Sequence, residues 1–225
     1  MLFSSSGIAI ECRMDGTKFL TSASLVRALK NNQGGKYNNL KIEVCYEGNI
    51  ASGFLEEYDL RLEIAIVKIK SSFSVRAVFL YHFTQFLPCC DVVSLGRDTS
   101  GKLIVTTGKL IRDSGGYKER KYLMFSSCKL SEVWEGGPLF SYNGKFVGMN
   151  LIPSMKKSLF LPASLIIERL QHFRTSQERN EFITRVKDLK TVKYICLKYF
   201  QFALLTLSAH GLAHSCHFPI PSMRL

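Results

Sequence analysis

Short alternating or wholly apolar runs, each cut off by a turn signal, constrain this 225-residue chain more than any other feature. Leu40–Tyr46 alternates with a period of two and stops at Glu47-Gly48-Asn49. Gly7–Cys12 is apolar and stops before Asp15-Gly16, and Lys18–Thr21, Ile50–Leu55 and Ile64–Ile69 are of the same kind. Further on, Asp91–Leu95 ends at Gly96, Lys102–Ile111 ends at Asp113-Ser114-Gly115-Gly116, and Tyr122–Ser127 follows. Pro138–Tyr142 meets Lys145–Leu151 across Asn143-Gly144, the pair that best accepts the left-handed backbone of a tight hairpin turn. Turns recurring about every 8–12 residues between such runs predict an all-β barrel or sandwich. The strands fall into two groups of similar size, which predicts two small barrels, over 1–82 and 83–175.

The period changes near the end of the second group. Pro162–Phe173 carries Leu165, Ile166, Leu170 and Phe173 at helical spacing with proline at the entry, so it predicts a helix packed on the second barrel. Residues 176–225 are expected to form a basic, helical and poorly ordered tail. In it Phe182, Ile183, Val186, Leu189 and Val192 recur at spacings near 3 and 4, and the polar face holds Arg179, Arg185, Lys187, Lys190 and Lys193. Residues 151–225 contain eleven lysines and arginines against four acids, a net +7 of the chain's +12. A basic amphipathic helix suits weak contact with nucleic acid or an anionic membrane, although no nucleic-acid-binding motif accompanies it.

Composition excludes several classes. An apolar share of 46% excludes wholesale disorder, and no uncharged apolar run reaches the length of a membrane helix. Seven cysteines at irregular spacing, with Cys89 and Cys90 adjacent and no repeated CxxC, predict free thiols in a reducing compartment. Residues 1–7 carry no basic, apolar leader, so an intracellular location is expected. His210, His214, Cys216 and His217 are ligand types at metal-like spacing but lack a second half-site; no metal and no cofactor is expected.

Four segments carry a family resemblance. Thr21-Ser22-Ala23-Ser24 resembles the segment that holds the histidine of trypsin-like serine proteases, and Glu63-Ile64-Ala65-Ile66-Val67-Lys68-Ile69 resembles the strand that begins with their aspartate. Glu135-Gly136-Gly137-Pro138-Leu139 followed by Gly144-Lys145-Phe146-Val147-Gly148 resembles the segment of the nucleophilic serine and its hairpin. Phe160-Leu161-Pro162 and the helix after it are similar to the close of the second barrel in the Do-like branch, including the degenerate Do-like proteins of plants. The resemblance spans about residues 1–175 and implies a mainly β, trypsin-like double six-stranded barrel with C-terminal helices. It also implies that the first barrel lacks the strand that precedes Gly7–Cys12 in the family, leaving an open edge.

The same comparison places Ser24 where the family has its histidine base, Glu63 where it has aspartate and Glu135 where it has the serine. A serine hydroxyl is no base near neutral pH, and a carboxylate faces a site built to hold developing negative charge. The oxyanion-hole region maps to Val133, Trp134, Gly136 and Gly137, with Val133 where the family has a glycine, and a β-branched residue resists left-handed backbone angles. Trp134 is expected to pack over the old cleft. Asp113-Ser114-Gly115-Gly116 spells a nucleophile motif but is followed by Tyr117, so it reads as a turn. Glu63 and Glu135 as a glycosidase pair lack any accompanying sugar-binding set. The resemblance therefore implies a catalytically inactive homologue that binds a polypeptide in the former substrate cleft. The alternatives are an active serine-type endopeptidase with a non-standard nucleophile, Ser114 or Ser24, and a surface-binding protein working through its basic tail.

Overall fold

The computed structural model describes residues 3–32, 40–70, 75–78, 80, 89–98, 100, 102–111, 122–153, 158–173 and 202–209. The first group of strands comprises β1 (Phe3–Arg13), β2 (Gly16–Ser22), β3 (Leu40–Tyr46), β4 (Asn49–Asp59) and β5 (Ile64–Ile69), with helix α1 (Ser24–Asn32) between β2 and β3. Each strand pairs antiparallel with its neighbours, and alternate residues such as Phe19, Val44, Val67 and Ile69 fill the interior with Leu25 of α1. The β1–β2 turn depends on Gly16, at φ 143°, where a Cβ would stand 2.1 Å from the Ile69 carbonyl oxygen. Helix α1 starts where the Ser22 hydroxyl accepts the amide of Ser24 at 3.1 Å, and it ends with Lys30 in its last turn.

The second group comprises β6 (Asp91–Arg97), β7 (Leu103–Ile111), β8 (Met124–Ser126), β9 (Pro138–Ser141), β10 (Phe146–Pro153) and β11 (Ser158–Pro162), followed by α2 (Ala163–Phe173). These six strands close a second barrel in the order β10-β11-β8-β7-β6-β9. The Asn143-Gly144 turn joins β9 to β10 as expected, with Gly144 at φ 73° and its amide donating to the Ser141 carbonyl at 2.8 Å. Helix α2 buries Ala163, Ile166, Ile167 and Leu170, so the helical spacing of Pro162–Phe173 is realised within one residue.

One element stands where the sequence reading placed none. Residues Phe202–Ala209 form a strand, β12, that lies antiparallel between β1 and β3 and closes the first barrel in the order β1-β12-β3-β4-β5-β2. The first barrel is therefore complete, and this segment belongs to the barrel and not to a helical, poorly ordered tail. The physical reason is the pair of unmatched edges that β1 and β3 would otherwise present, each a row of unpaired backbone groups. The register runs from Phe3 opposite Leu207 to Ile8 opposite Phe202 on one side, and from Cys45 opposite Leu204 to Leu40 opposite Ala209 on the other.

The barrels share a core. Ile8, Leu20, Ile64 and Ile66 of the first pack in one apolar cluster with Val93, Leu95, Phe140, Phe146 and Met149 of the second and with Ile166, Ile167 and Leu170 of α2. Among the described residues no helix is long and apolar enough to cross a membrane.

Candidate active-site cleft

Ser24, Glu63 and Glu135 lie far apart in sequence, and the fold brings them together where the barrels meet. Ser24 opens α1, Glu63 precedes β5, and Glu135 follows the 3-10 turn Glu132–Trp134. The Ser24 hydroxyl donates to Glu135 Oε1 at 2.7 Å, and the Ser22 hydroxyl donates to the same oxygen at 2.5 Å. The expected base and nucleophile positions are thus in direct contact, with the carboxylate accepting. Burial pushes the Glu135 carboxyl above its ordinary pKa and the charge of Glu63 pushes the same way; the two hydroxyl donors and Arg27 act against the rise.

Glu63 is buried, and its carboxylate faces Arg27 and not Ser24. Arg27 Nη1 donates to Oε2 at 2.6 Å and Nη2 to Oε1 at 2.8 Å, a two-pronged pair that holds the guanidinium more strongly protonated than usual. Glu63 sits at φ 61°, a left-handed angle that few non-glycine residues adopt, and its carbonyl accepts the Ala23 amide at 3.1 Å. Ser22 and Arg27 were not singled out from the sequence. The available signals were the place of Ser22 two residues before Ser24, and that of Arg27 three residues after it on the same helix face.

The oxyanion-hole region has no inward-pointing amide to offer between Trp134 and Gly137. The Trp134 amide donates to the Ser131 carbonyl at 3.0 Å and the Glu135 amide to Glu132 at 3.1 Å. The Gly136 amide donates to Asn150 at 2.8 Å and the Gly137 amide to Trp134 at 2.9 Å. Val133 keeps a negative φ, and its carbonyl accepts the Ser6 hydroxyl at 3.0 Å. The Ser6 amide donates to the Glu135 carbonyl at 2.9 Å, so β1 fastens the 3-10 turn from across the barrel interface. Gly136, at φ 84°, is tightly enclosed, since a Cβ there would stand 2.3 Å from the Ser6 carbonyl oxygen. Trp134 is 6% exposed and lies on Gly96 of β6, where a Cβ would meet its Cγ at 2.6 Å.

His172 is the one described histidine, and it lies on α2 beside Arg61, Tyr122 and Glu168. His82, His210, His214, Cys216 and His217, the Asp113–Gly116 turn with Ser114, and the basic positions Arg179, Arg185, Lys187, Lys190 and Lys193 lie outside the described residues. Among the described residues no group of three or more metal-ligating side chains forms.

Comparison with known proteins gives the same architecture. The family described as "Trypsin-like peptidase domain" matches residues 6–149. The Arabidopsis thaliana protein named "Putative protease Do-like 14" is 27% identical over 181 residues, which cover 76% of this chain and 41% of that protein, so the chain spans less than half the length of this relative. The crystal structure of Deg5 superposes with a TM-score of 0.57 at 14% identity, over 72% of this chain and 79% of that one. The MamO protease domain of Magnetospirillum magneticum, in its apo form, superposes with a TM-score of 0.55 at 19% identity, over 73% and 87%. At these identities the two structures carry the fold alone. The family match ends at Met149, so β12 lies beyond it.

Proposed function

This chain belongs to the trypsin-like peptidase domain family, and on that premise we propose that it is a catalytically inactive, Do-like member that holds a polypeptide in the former substrate cleft without cutting it. The observation that carries this reading is the Glu135 carboxylate, which occupies the nucleophile position and accepts hydrogen bonds from Ser22 and Ser24. Acyl transfer needs a nucleophile that gives its proton to a base and a set of donors aimed at the oxyanion. Here the carboxylate is an acceptor, the base position offers a hydroxyl, and the amides of Trp134–Gly137 are engaged by carbonyls of the chain. Binding without cleavage is supported by the end of β10: its ladder to β9 stops at Met149 while its ladder to β11 runs on to Pro153, so beyond Asn150 one side of β10 has no strand beside it among the described residues. An extended peptide recognises backbone groups standing out of a ladder by adding a strand.

One contact favours a second reading. A serine hydroxyl 2.7 Å from a carboxylate whose pKa is raised is also the start of a nucleophile and base pair, with Ser24 in the first role and Glu135 in the second. Labelling with a fluorophosphonate probe separates the two, because such probes react with activated serines. The expected result is no labelling of the folded protein beside an active trypsin-like control. Labelling lost in Ser24→Ala, or in Ser114→Ala, would establish a serine-type endopeptidase and overturn the inactive reading. Recovery of intact, not cut, peptides from the protein after incubation with a random peptide pool, read by mass spectrometry, tests the binding half.

A further inference from the structure

Every strand of the two barrels except β12 pairs with a strand adjacent to it in the sequence order of its own barrel; β12 pairs only with β1 and β3, each more than 150 residues away. Twenty-eight residues separate the end of α2 at Phe173 from Phe202, so β12 reaches its place on a long tether. The slot it fills is bounded on both sides by strand edges, with six residue pairs along β1 and six along β3. Register places Leu205 opposite Ser5 and Val44, and Leu207 opposite Phe3 and Ile42; Phe3, Ile42 and Val44 belong to the first-barrel core. The segment Phe-Ala-Leu-Leu-Thr-Leu-Ser-Ala carries no charge, so its fit requires only extended backbone and small or apolar side chains.

We infer that the slot between β1 and β3 is a binding site for an extended, uncharged, strand-forming segment, and that residues 202–209 occupy it as a tethered ligand. The slot shares Ser6 of β1 with the bonds that fasten the Glu132–Trp134 turn, but it does not depend on whether the cleft around Glu135 is active. Because slot and strand belong to one chain, the strand binds intramolecularly, at an effective concentration on the order of millimolar. A free strand at micromolar concentration therefore loses to the tethered one by roughly a thousandfold, and competes on equal terms once the tether is cut. Loop closure over so many residues also makes β12 the strand with the costliest pairing in chain entropy.

The test uses the full chain with a site-specific protease sequence inserted between Lys190 and Thr191, cleaved only after folding. The probe is a fluorescein-labelled peptide of residues 200–211, read by fluorescence anisotropy and by size exclusion. In the cleaved protein the peptide is expected to bind and release the native 191–225 fragment, while the same peptide carrying Leu205→Pro binds at least about tenfold more weakly. The uncleaved protein is expected to take up at least about a hundredfold less peptide at equal concentration. Retention of the native fragment with no peptide uptake would make β12 a fixed wall of the barrel. Loss of the fragment with no uptake would deny the slot any affinity of its own, and equal uptake before and after cleavage would place the peptide elsewhere; each of the three overturns the inference.

Discussion

The strands β6–β11 all lie within residues 91–162 and close their ring inside that span, β6 on β9 and β8 on β11, whereas β1–β5 need a strand that begins at Phe202. The two rings have the same number of strands and meet in one shared apolar cluster, so the difference lies in connectivity and not in packing. Closure entropy grows with the logarithm of the loop, by about 0.6 kcal/mol for each doubling of length. The second barrel avoids most of that cost by pairing through short connections such as Asn143-Gly144. The first barrel bears it at β12 and should be the region that opens first. The largest expected effect follows directly. Leu205→Pro removes a ladder amide from a strand paired on both sides and disturbs both edges it covers, so it should be the most destabilising of these changes. Native-state hydrogen exchange should then show lost protection in β1 and β3 with protection kept in β7 and β10. Simultaneous loss in both barrels would break the comparison, because it would make the shared cluster, and not connectivity, the unit of stability.

The reverse experiment sharpens it. Phe160 is fully buried in the interior of the second barrel among Val92, Leu139 and Val147. Phe160→Ala should cost about 3–4 kcal/mol through lost burial and the cavity it leaves. The same change at Phe19, fully buried in the first barrel, should have a similar cost in thermal melting. The two should differ in hydrogen exchange, with Phe19→Ala loosening β12 and Phe160→Ala leaving it in place.

How much of this was legible in the sequence follows the same division. Both ends of β3 follow from period two and the turn after it, those of β5 from the limits of an apolar run, and the hairpin at Asn143-Gly144 from its residue pair. These are local signals, and four of the six strand pairings of the second barrel join strands consecutive in sequence. No local signal says that Phe202–Ala209 belongs beside Phe3–Ile8, because edge matching is a property of the assembled sheet. The positions of Ser24, Glu63 and Glu135 were readable from the motifs that surround them. Their partners were less so, since Arg27 could be placed on the helix face of Ser24 but its reach to Glu63 depends on the turn before β5. The engagement of the Trp134–Gly137 amides could not be read at all, because it depends on a 3-10 turn fastened from β1.

The site itself repeats the contrast on a smaller scale, with one wall from each barrel. The first-barrel wall is an ion pair, Arg27 with Glu63, in which the arginine side chain is 41% exposed and the glutamate 7%. Arg27→Leu leaves a buried carboxylate facing a second one, Glu135, and should cost about 2 kcal/mol, between the values for exposed and fully buried pairs. The double variant Arg27→Leu with Glu63→Gly should recover most of that loss, since it removes the stranded charge and the left-handed strain at φ 61° together. A double variant no more stable than Arg27→Leu alone would mean that the pair fixes the α1 start by geometry and not by charge.

The second-barrel wall offers the smallest effect and a pH signature. Burial raises the Glu135 pKa on folding, so the folded chain binds that proton more tightly than the unfolded chain does. The stability this group contributes is complete below the ordinary glutamate range and is lost as pH rises through the raised folded value; above it, the buried carboxylate is ionised with only two hydroxyl donors to hold it. Glu135→Gln keeps an oxygen that accepts from Ser22 and Ser24 and removes the titration. Variant and wild type should therefore melt together near pH 4 in urea, with the variant becoming the more stable of the two as pH rises toward 8. Arg27 draws the Glu135 carboxylate toward ionisation, so the gap should widen when Arg27→Leu is added to both proteins. Parallel curves across the range would mean that the serine hydroxyls fully offset burial, and that Glu135 is held between Ser22 and Ser24 at no cost to the fold.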